Sequence, residues 1–186
     1  MILQHPLEVD HAKGSARLLH LSLPHSRLVT GEVFDPAVLQ ALLTAPLASE
    51  VCAARPRHTL LLFPDTPEEK AMGLPAPPVL ARDKLHDPSQ LRLIVLDGTW
   101  RKSRKMLYQN PLLQQLPRLA LRDMPASHYL IRKAHRPDQL STLEATCMAL
   151  MQLEACVEPY LPLLKAFDGF VAQQLACQGK LKTQAA

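Results

Sequence analysis

One segment, residues 91–106, constrains the fold of this chain more than any other. Its first six residues, Leu91–Leu96, are almost all apolar, which is typical of a strand buried on both faces of a parallel sheet. Asp97 and Gly98 break this run, and the basic, amphipathic stretch Trp100–Gln109 predicts a helix directly after them. Open α/β sheets bind ligands at the carboxyl ends of their strands, so the segment predicts a small-molecule pocket at Asp97 beside a track for a polyanion.

The rest of the chain alternates predicted strands with predicted helices, which favours an α/β fold with a mostly parallel sheet flanked by helices. The predicted strands are Met1–Gln4, Arg27–Thr30, His58–Phe63, Leu91–Leu96 and Arg118–Arg122. The predicted helices are Ser15–Leu23, Pro36–Thr44, Trp100–Gln109, Ser141–Val157 and Tyr160–Cys177. Asp35 is the expected N-cap of the second helix, and Ser141 with Glu144 is the expected capping box of the fourth. Residues 64–90 hold six of the 17 prolines, so we expect mostly loop there, with one helical turn after Asp65.

The positive charge of the chain is concentrated in one region. The whole chain carries a net charge of +4, whereas residues 97–136 hold nine Lys/Arg and two Asp/Glu, a local charge of +7. Such a concentration is typical of surfaces that bind nucleic acid or other polyanions. A solvated basic helix face explains the charge pattern equally well, so both interpretations stay open at this point.

The composition excludes several classes of protein. A hydrophobic fraction of 47% in 186 residues predicts one globular domain with a sizeable core. No stretch approaches the roughly 20 apolar residues of a membrane span, and the first dozen residues do not form a signal peptide. The four cysteines form no CxxC pair and no zinc-like spacing with histidine, so we expect no metal and a reducing, cytoplasmic location. The GxGxxG, P-loop, HExxH and GxSxG motifs of common cofactor and hydrolase sites are missing from the sequence.

A set of short motifs in a fixed order resembles the DTW-domain family. The central motifs are Asp97-Gly98-Thr99-Trp100, Arg104-Lys105-Met106, Pro111, Leu116-Pro117, Tyr129, Arg132 and Ser141-Thr142-x-Glu144-Ala145. The earlier motifs are His5-Pro6-x-Glu8, Arg17-Leu18 and Phe63-Pro64. Together they cover roughly residues 2–155. The four-residue DTW motif alone is a weak signal, but the ordered set is specific.

The resemblance implies both a fold and an activity. The family resembles SPOUT-type RNA-modifying enzymes, which implies a SPOUT-like sheet with a C-terminal trefoil knot. Its bacterial members are tRNA-uridine aminocarboxypropyltransferases, which use S-adenosylmethionine to form 3-(3-amino-3-carboxypropyl)uridine in the tRNA variable region. We therefore expect S-adenosylmethionine as substrate donor and tRNA as partner. We also expect a single DTW domain over residues 1–186, without the Cys-rich segment that many members carry before the first strand. The alternatives are a SPOUT-type RNA methyltransferase and a non-catalytic RNA-binding module.

The resemblance also implies roles for individual residues. Asp97 would accept the uracil imide proton or complement the sulfonium charge, and Trp100 would wall the pocket or stack on the uracil. From the residues alone, Asp97 is equally a turn and N-cap residue and Trp100 a core aromatic. The donor would contact Phe63, Pro64, Leu96, Asp97, Gly98, Thr99, Trp100, Tyr129, Ser141, Thr142 and Glu144. The tRNA would contact Arg101, Lys102, Arg104, Lys105, Arg132 and Lys133, of which the last two are alternatively partners of the donor carboxylate.

Overall fold

The described part of the chain forms two compact units. The computed structural model describes residues 1–11, 14–45, 58–64, 76–79, 81–121 and 140–184, with side chains through residue 176 except that of Arg82. One unit ends before residue 123, and the other contains the described residues from 140 onward. The first unit carries a sheet with its helices, and the second carries two helices.

The described residues of the first unit form a five-stranded sheet in which every strand pair is parallel. The strands are β1 (Ile2–Gln4), β2 (Leu28–Thr30), β3 (His58–Leu62), β4 (Leu91–Asp97) and β5 (Arg118–Leu119). Their spatial order is β2-β1-β4-β3-β5. The helices are α1 (Ser15–Ser22), α2 (Pro36–Thr44), α3 (Trp100–Gln109) and α4 (Pro111–Gln114). The expected α/β fold with a parallel sheet flanked by helices is confirmed.

The strand order creates a crevice between β1 and β4. The chain leaves β1 towards β2 on one side, whereas it leaves β4 towards β5 on the other side. Parallel crossovers are nearly always right-handed, so two neighbouring strands with opposite departures send their connections to opposite faces. The sheet opens between such strands, and ligands of open α/β folds bind there. The topology therefore singles out the carboxyl ends of β1 and β4.

The apolar core of the first unit packs the sheet against α2, α3 and α4. The core cluster consists of Met1, Leu3, Leu39, Leu42, Leu43, Leu61, Phe63, Ile94, Leu96, Met106, Leu107 and Leu113. Neighbouring strand residues point to opposite faces, and Ile2, Leu60 and Val95 are buried too. The sheet is thus buried on both faces, as the apolar run in β4 predicted.

Arg92, the one polar residue within the apolar run Leu91–Leu96 of β4, connects the sheet to α2. Arg92 is 6% exposed, and its guanidinium donates to the carbonyls of Leu42 at 2.8 Å and Ala45 at 2.5 Å. These carbonyls belong to the last turn of α2, which has no intrahelical donors for them. Arg92 therefore fixes the end of α2 to the middle of the sheet.

The expected elements of the first unit are present, with small differences at their ends. α2 and α3 have the expected bounds, and the Asp35 side chain caps α2 by accepting from two backbone N–H groups. β4 extends one residue further than expected, because Asp97 still pairs with β1. β5 ends at Leu119 rather than Arg122. The helical turn expected after Asp65 lies outside the described residues.

The second unit consists of α5 (Thr142–Glu154) and α6 (Leu161–Gln184) in its described part. The capping box is confirmed, because Ser141 Oγ accepts from Glu144 N at 3.2 Å and Glu144 Oε2 accepts from Ser141 N at 2.7 Å. α5 ends at Glu154 instead of Val157, where Ala155 adopts a left-handed conformation with φ of 48°. Among the described helices, none is long and apolar enough to cross a membrane.

Candidate functional site

Two buried polar side chains meet at the crevice between β1 and β4. Gln4 and Asp97 are the last residues of these strands and lie opposite each other in the register. The Gln4 amide donates from Nε2 to Asp97 Oδ2 at 2.9 Å, and the backbone N–H of His5 donates to the Asp97 carbonyl at 2.9 Å. Gln4 is 4% exposed and Asp97 is 5% exposed. The carboxylate is therefore held in one orientation at the point that the topology marks for a ligand.

The alternative role of Asp97 as the N-cap of α3 is wrong. Thr99 is the N-cap, and its hydroxyl accepts from the backbone N–H of Lys102 at 3.3 Å. Gly98 allows the turn to lie against the helix, because a Cβ there would come within 3.1 Å of the Lys102 Cβ. Asp97 is therefore buried at the crevice without capping α3.

An aromatic stack lies beside this carboxylate along the chain. The rings of Phe63 and Trp100 are stacked, with centroids 4.9 Å apart and planes inclined by 16°. The guanidinium carbon of Arg118 lies 5.4 Å from the Phe63 ring centroid, a cation–π contact. Trp100 is 43% exposed, so it is not the core residue that the residues alone allowed. Of the other expected donor contacts in this unit, Pro64 is exposed and Leu96 is in the core.

A second polar cluster ties α3 to the loops after β1 and β2. Glu8 is 6% exposed and forms an ion pair with Lys102, with Oε1 and Nζ 2.9 Å apart. Glu32 Oε1 lies 2.8 Å from Lys105 Nζ and 3.1 Å from His5 Nε2. Lys105 in the first place, and His5 in the second, hold the pKa of Glu32 below its ordinary value. Two of the helix cations thus pair with carboxylates of the protein itself.

Hydrogen bonding also assigns the proton of His5. The ring nitrogen Nδ1 accepts from the backbone N–H of Leu7 at 3.1 Å, so in the neutral imidazole the proton belongs to Nε2. That nitrogen donates to Glu32 Oε1. The His5 ring is therefore oriented from both sides, and it holds the loop after β1 next to the crevice.

Sequence reasoning missed Gln4, Glu32 and Arg118 as parts of this region. A signal existed for Gln4, because it is a polar residue that ends an apolar strand, as Asp97 does. Arg118 lies at the start of a strand and Glu32 in a loop, and each is brought in by a non-local contact. No sequence pattern predicts such contacts.

The remaining expected residues belong to other parts of the chain. Ser141, Thr142 and Glu144 begin α5 in the second unit, where Ser141 and Glu144 bond to each other. Tyr129, Arg132 and Lys133 lie outside the described residues. Within the described ranges, no group of three or more His, Cys, Asp or Glu side chains is arranged to hold a metal ion.

Comparison with known proteins gives a consistent result. The family model of the DTW domain matches residues 1–175. The chain is similar to tRNA-uridine aminocarboxypropyltransferase 2 of Drosophila melanogaster, with 28% identity over 181 residues, 94% of this chain and 64% of that protein. Its counterparts in Macaca fascicularis and Mus musculus are 29% identical over 159 residues and 30% identical over 181 residues. These alignments cover 82% and 92% of this chain and 47% and 54% of the relatives, so the chain spans about half to two thirds of their length. No solved structure matches the chain.

Proposed function

This chain belongs to the DTW domain family, and from that membership we propose that it transfers the 3-amino-3-carboxypropyl group of S-adenosylmethionine to N3 of a uridine in tRNA. The observation that carries the proposal is the buried Asp97 carboxylate, fixed by Gln4 in the crevice between β1 and β4. The names of the relatives support the same activity. The proposed fold is SPOUT-like with a C-terminal trefoil knot, within one DTW domain over residues 1–186.

The residues at the crevice fit a donor of this kind. S-adenosylmethionine, when bound, supplies the aminocarboxypropyl group on a positively charged sulfonium, which is a good leaving group. A buried carboxylate such as Asp97 complements a positive charge, and the Phe63–Trp100 stack offers aromatic surface. We propose that Phe63, Pro64, Leu96, Gly98 and Thr99 contact the donor, and the family resemblance adds Tyr129, Ser141, Thr142 and Glu144 to this proposal.

The protein has two tasks in this reaction, to orient the two substrates and to remove a proton. The imide nitrogen of uracil forms a bond to the γ-carbon of the transferred chain, the carbon–sulfur bond breaks with its electron pair going to sulfur, and the imide proton needs an acceptor. Asp97, the buried carboxylate at the crevice, is the acceptor that we propose for this proton. Trp100 would form a wall of the pocket beside the uracil.

Product mass tests the proposal and separates it from its alternatives. The wild-type chain is incubated with bulk tRNA and S-adenosylmethionine, and the nucleosides are then analysed by mass spectrometry. We expect a uridine carrying the aminocarboxypropyl group, and much slower formation of that product with Asp97→Asn. A methylated nucleoside would instead identify a methyltransferase. tRNA that binds but stays unmodified would identify an RNA-binding module, and either result would overturn the proposal.

We predict that Arg101 contributes to tRNA binding through charge alone. Arg101 is an exposed residue on α3, whereas Lys102 pairs with buried Glu8. Replacing Arg101 by Gln should weaken tRNA binding at low salt and flatten the slope of log affinity against log salt by about one unit. The melting temperature should stay at the wild-type value, whereas Lys102→Gln should lower it because the ion pair to Glu8 is lost.

Filter binding at several salt concentrations, with thermal melts alongside, provides the measurement. Lys84→Gln, an exposed lysine in the 3-10 turn Arg82–Leu85, is the matched control for loss of one surface charge. If Arg101→Gln binds tRNA with the slope of Lys84→Gln, the helix face is a solvated surface and not a track for RNA.

A further inference from the structure

An open groove runs along the solvent side of α3. Its volume is about 350 Å³. Among the described residues it is lined by Trp100, Arg101, Arg104, Lys105, Tyr108 and Gln109. These positions repeat in pairs every four residues, so they form one face of the helix. We call this feature the α3 groove.

The α3 groove combines aromatic rings with positive charge. The Trp100 ring is 43% exposed, and the guanidinium carbon of Arg104 lies 5.8 Å from the centroid of the Tyr108 ring. Among the described residues that line it, the charged side chains are Arg101, Arg104 and Lys105, of which Lys105 is paired with Glu32. A purely apolar ligand does not need the cations, and a bare phosphate does not use the ring faces. A nucleotide uses both, since its base stacks on aromatic and guanidinium planes while its phosphate pairs with cations.

The α3 groove follows the crevice directly along the chain. α3 begins three residues after Asp97, and Trp100 both stacks on Phe63 and lines the groove. The helix has ten residues, which corresponds to a length of about 15 Å. A strand of RNA that lies in the groove would therefore reach Trp100 at the N-terminal end of α3, which follows Asp97 in the sequence.

We propose that the α3 groove binds single-stranded RNA next to the target uridine, with an unstacked base against Trp100 and the adjoining phosphates on Arg101 and Arg104. This inference rests on the proposed function for its substrate, and it adds that the substrate must be unpaired at the flanking nucleotide. In a duplex both faces of a base are covered by its neighbours, so the rings of the groove have nothing to stack on. The protein would thus select uridines in loops.

Trp100 makes the inference directly measurable, because it is the only tryptophan of the chain. Its fluorescence is followed, without donor present, while a short uridine-rich single-stranded oligoribonucleotide or a fully paired RNA duplex of equal length is added. We expect saturable quenching by the single strand, with an affinity about tenfold higher than that for the duplex, the order expected for one stacked base. Equal quenching by both RNAs, or quenching by neither, would overturn the inference.

Variants of Arg104 test the groove itself. Arg104→Gln should weaken single-strand binding about tenfold, and Arg104→Lys should recover only part of the loss because an ammonium keeps the charge but not the plane. Lys84→Gln should bind as the wild type does. Thermal melts show whether each variant is folded, and Arg101→Gln serves as a second probe if Arg104→Gln is not. Wild-type binding by a folded Arg104→Gln contradicts the proposal.

The same set of measurements separates this inference from the proposed function. If nucleoside mass spectrometry shows aminocarboxypropyl transfer while the single strand fails to quench Trp100, the groove assignment is wrong and the function stands. If no transfer occurs, but single strands quench Trp100 fluorescence as expected and Arg104→Gln weakens their binding, the groove binds RNA in a protein of different activity.

Discussion

Asp97→Asn is expected to lower the rate of aminocarboxypropyl transfer by about 10²–10⁴, the usual range for loss of a general base, with little change in thermal stability. Asparagine has nearly the same size, and its side-chain oxygen can still accept from the Gln4 amide, so the crevice keeps its structure. What it loses is the ability to take a proton or to carry charge. Single-turnover assays with saturating donor and tRNA measure the rate, and thermal melts measure the stability.

The matched control for this substitution is Asp35→Asn. Asp35 is an exposed N-cap whose side chain accepts from the backbone N–H groups of Ala37 and Val38. Asparagine caps helices about as well as aspartate, so this variant should turn over and melt as the wild type does. An Asp97→Asn protein that melts early yet transfers at the wild-type rate would show that Asp97 is a structural residue.

Donor binding distinguishes the two chemical roles of Asp97. If the carboxylate complements the sulfonium, Asp97→Asn should weaken binding of S-adenosylmethionine but not of S-adenosylhomocysteine, whose sulfur is neutral. If the carboxylate accepts the imide proton, both affinities should stay at their wild-type values while the transfer step slows. Calorimetric titration of both ligands into both proteins measures the difference. Equal weakening of both affinities would instead indicate that Asp97 maintains the shape of the pocket for both ligands.

The sequence predicted the elements that depend on local chemistry. Asp35, Ser141 and Glu144 cap the expected helices because a cap needs only residues three positions apart. α6 is longer than expected, since it continues from Cys177 through Gly179 to Gln184. One glycine costs a helix about 1 kcal/mol, so it is a weak stop signal within a long helix.

The contacts that shape the crevice could not be predicted in this way. Gln4 and Asp97 lie 93 residues apart and meet because β1 pairs with β4 rather than with β3. Strand order is a property of the whole sheet, and alternation of strands and helices leaves it undetermined. The ion pair of Lys102 with Glu8 depends on the same pairing, so a residue expected as part of the RNA track also anchors the fold. Asp97 itself was found because strand ends are where α/β proteins bind ligands, a rule that holds for any strand order.

Asn110→Ala is expected to cause the largest loss of stability of any polar substitution discussed above, about 3 kcal/mol, because it removes three hydrogen bonds of a buried side chain at about 1 kcal/mol or more each. Asn110 is 2% exposed and follows α3 directly. Its Oδ1 accepts from the backbone N–H of Phe34 at 2.9 Å, and its Nδ2 donates to the carbonyls of Glu32 at 2.8 Å and Met106 at 2.6 Å. The side chain therefore joins the end of α3 to the loop that carries Glu32.

Urea unfolding followed by circular dichroism measures the change in the free energy of unfolding. Asn110→Asp should lose at least as much as Asn110→Ala, because it would bury a carboxylate oxygen against the carbonyl oxygens of Glu32 and Met106. Gln115→Ala, an exposed position in the turn after α4, should stay within about 0.5 kcal/mol of the wild type. Because Asn110 holds the Glu32 loop, the Asn110→Ala protein should also loosen the pairing of Glu32 with Lys105 and His5. An Asn110→Ala protein as stable as Gln115→Ala would mean that water replaces all three bonds, and that the loop is not held through this residue.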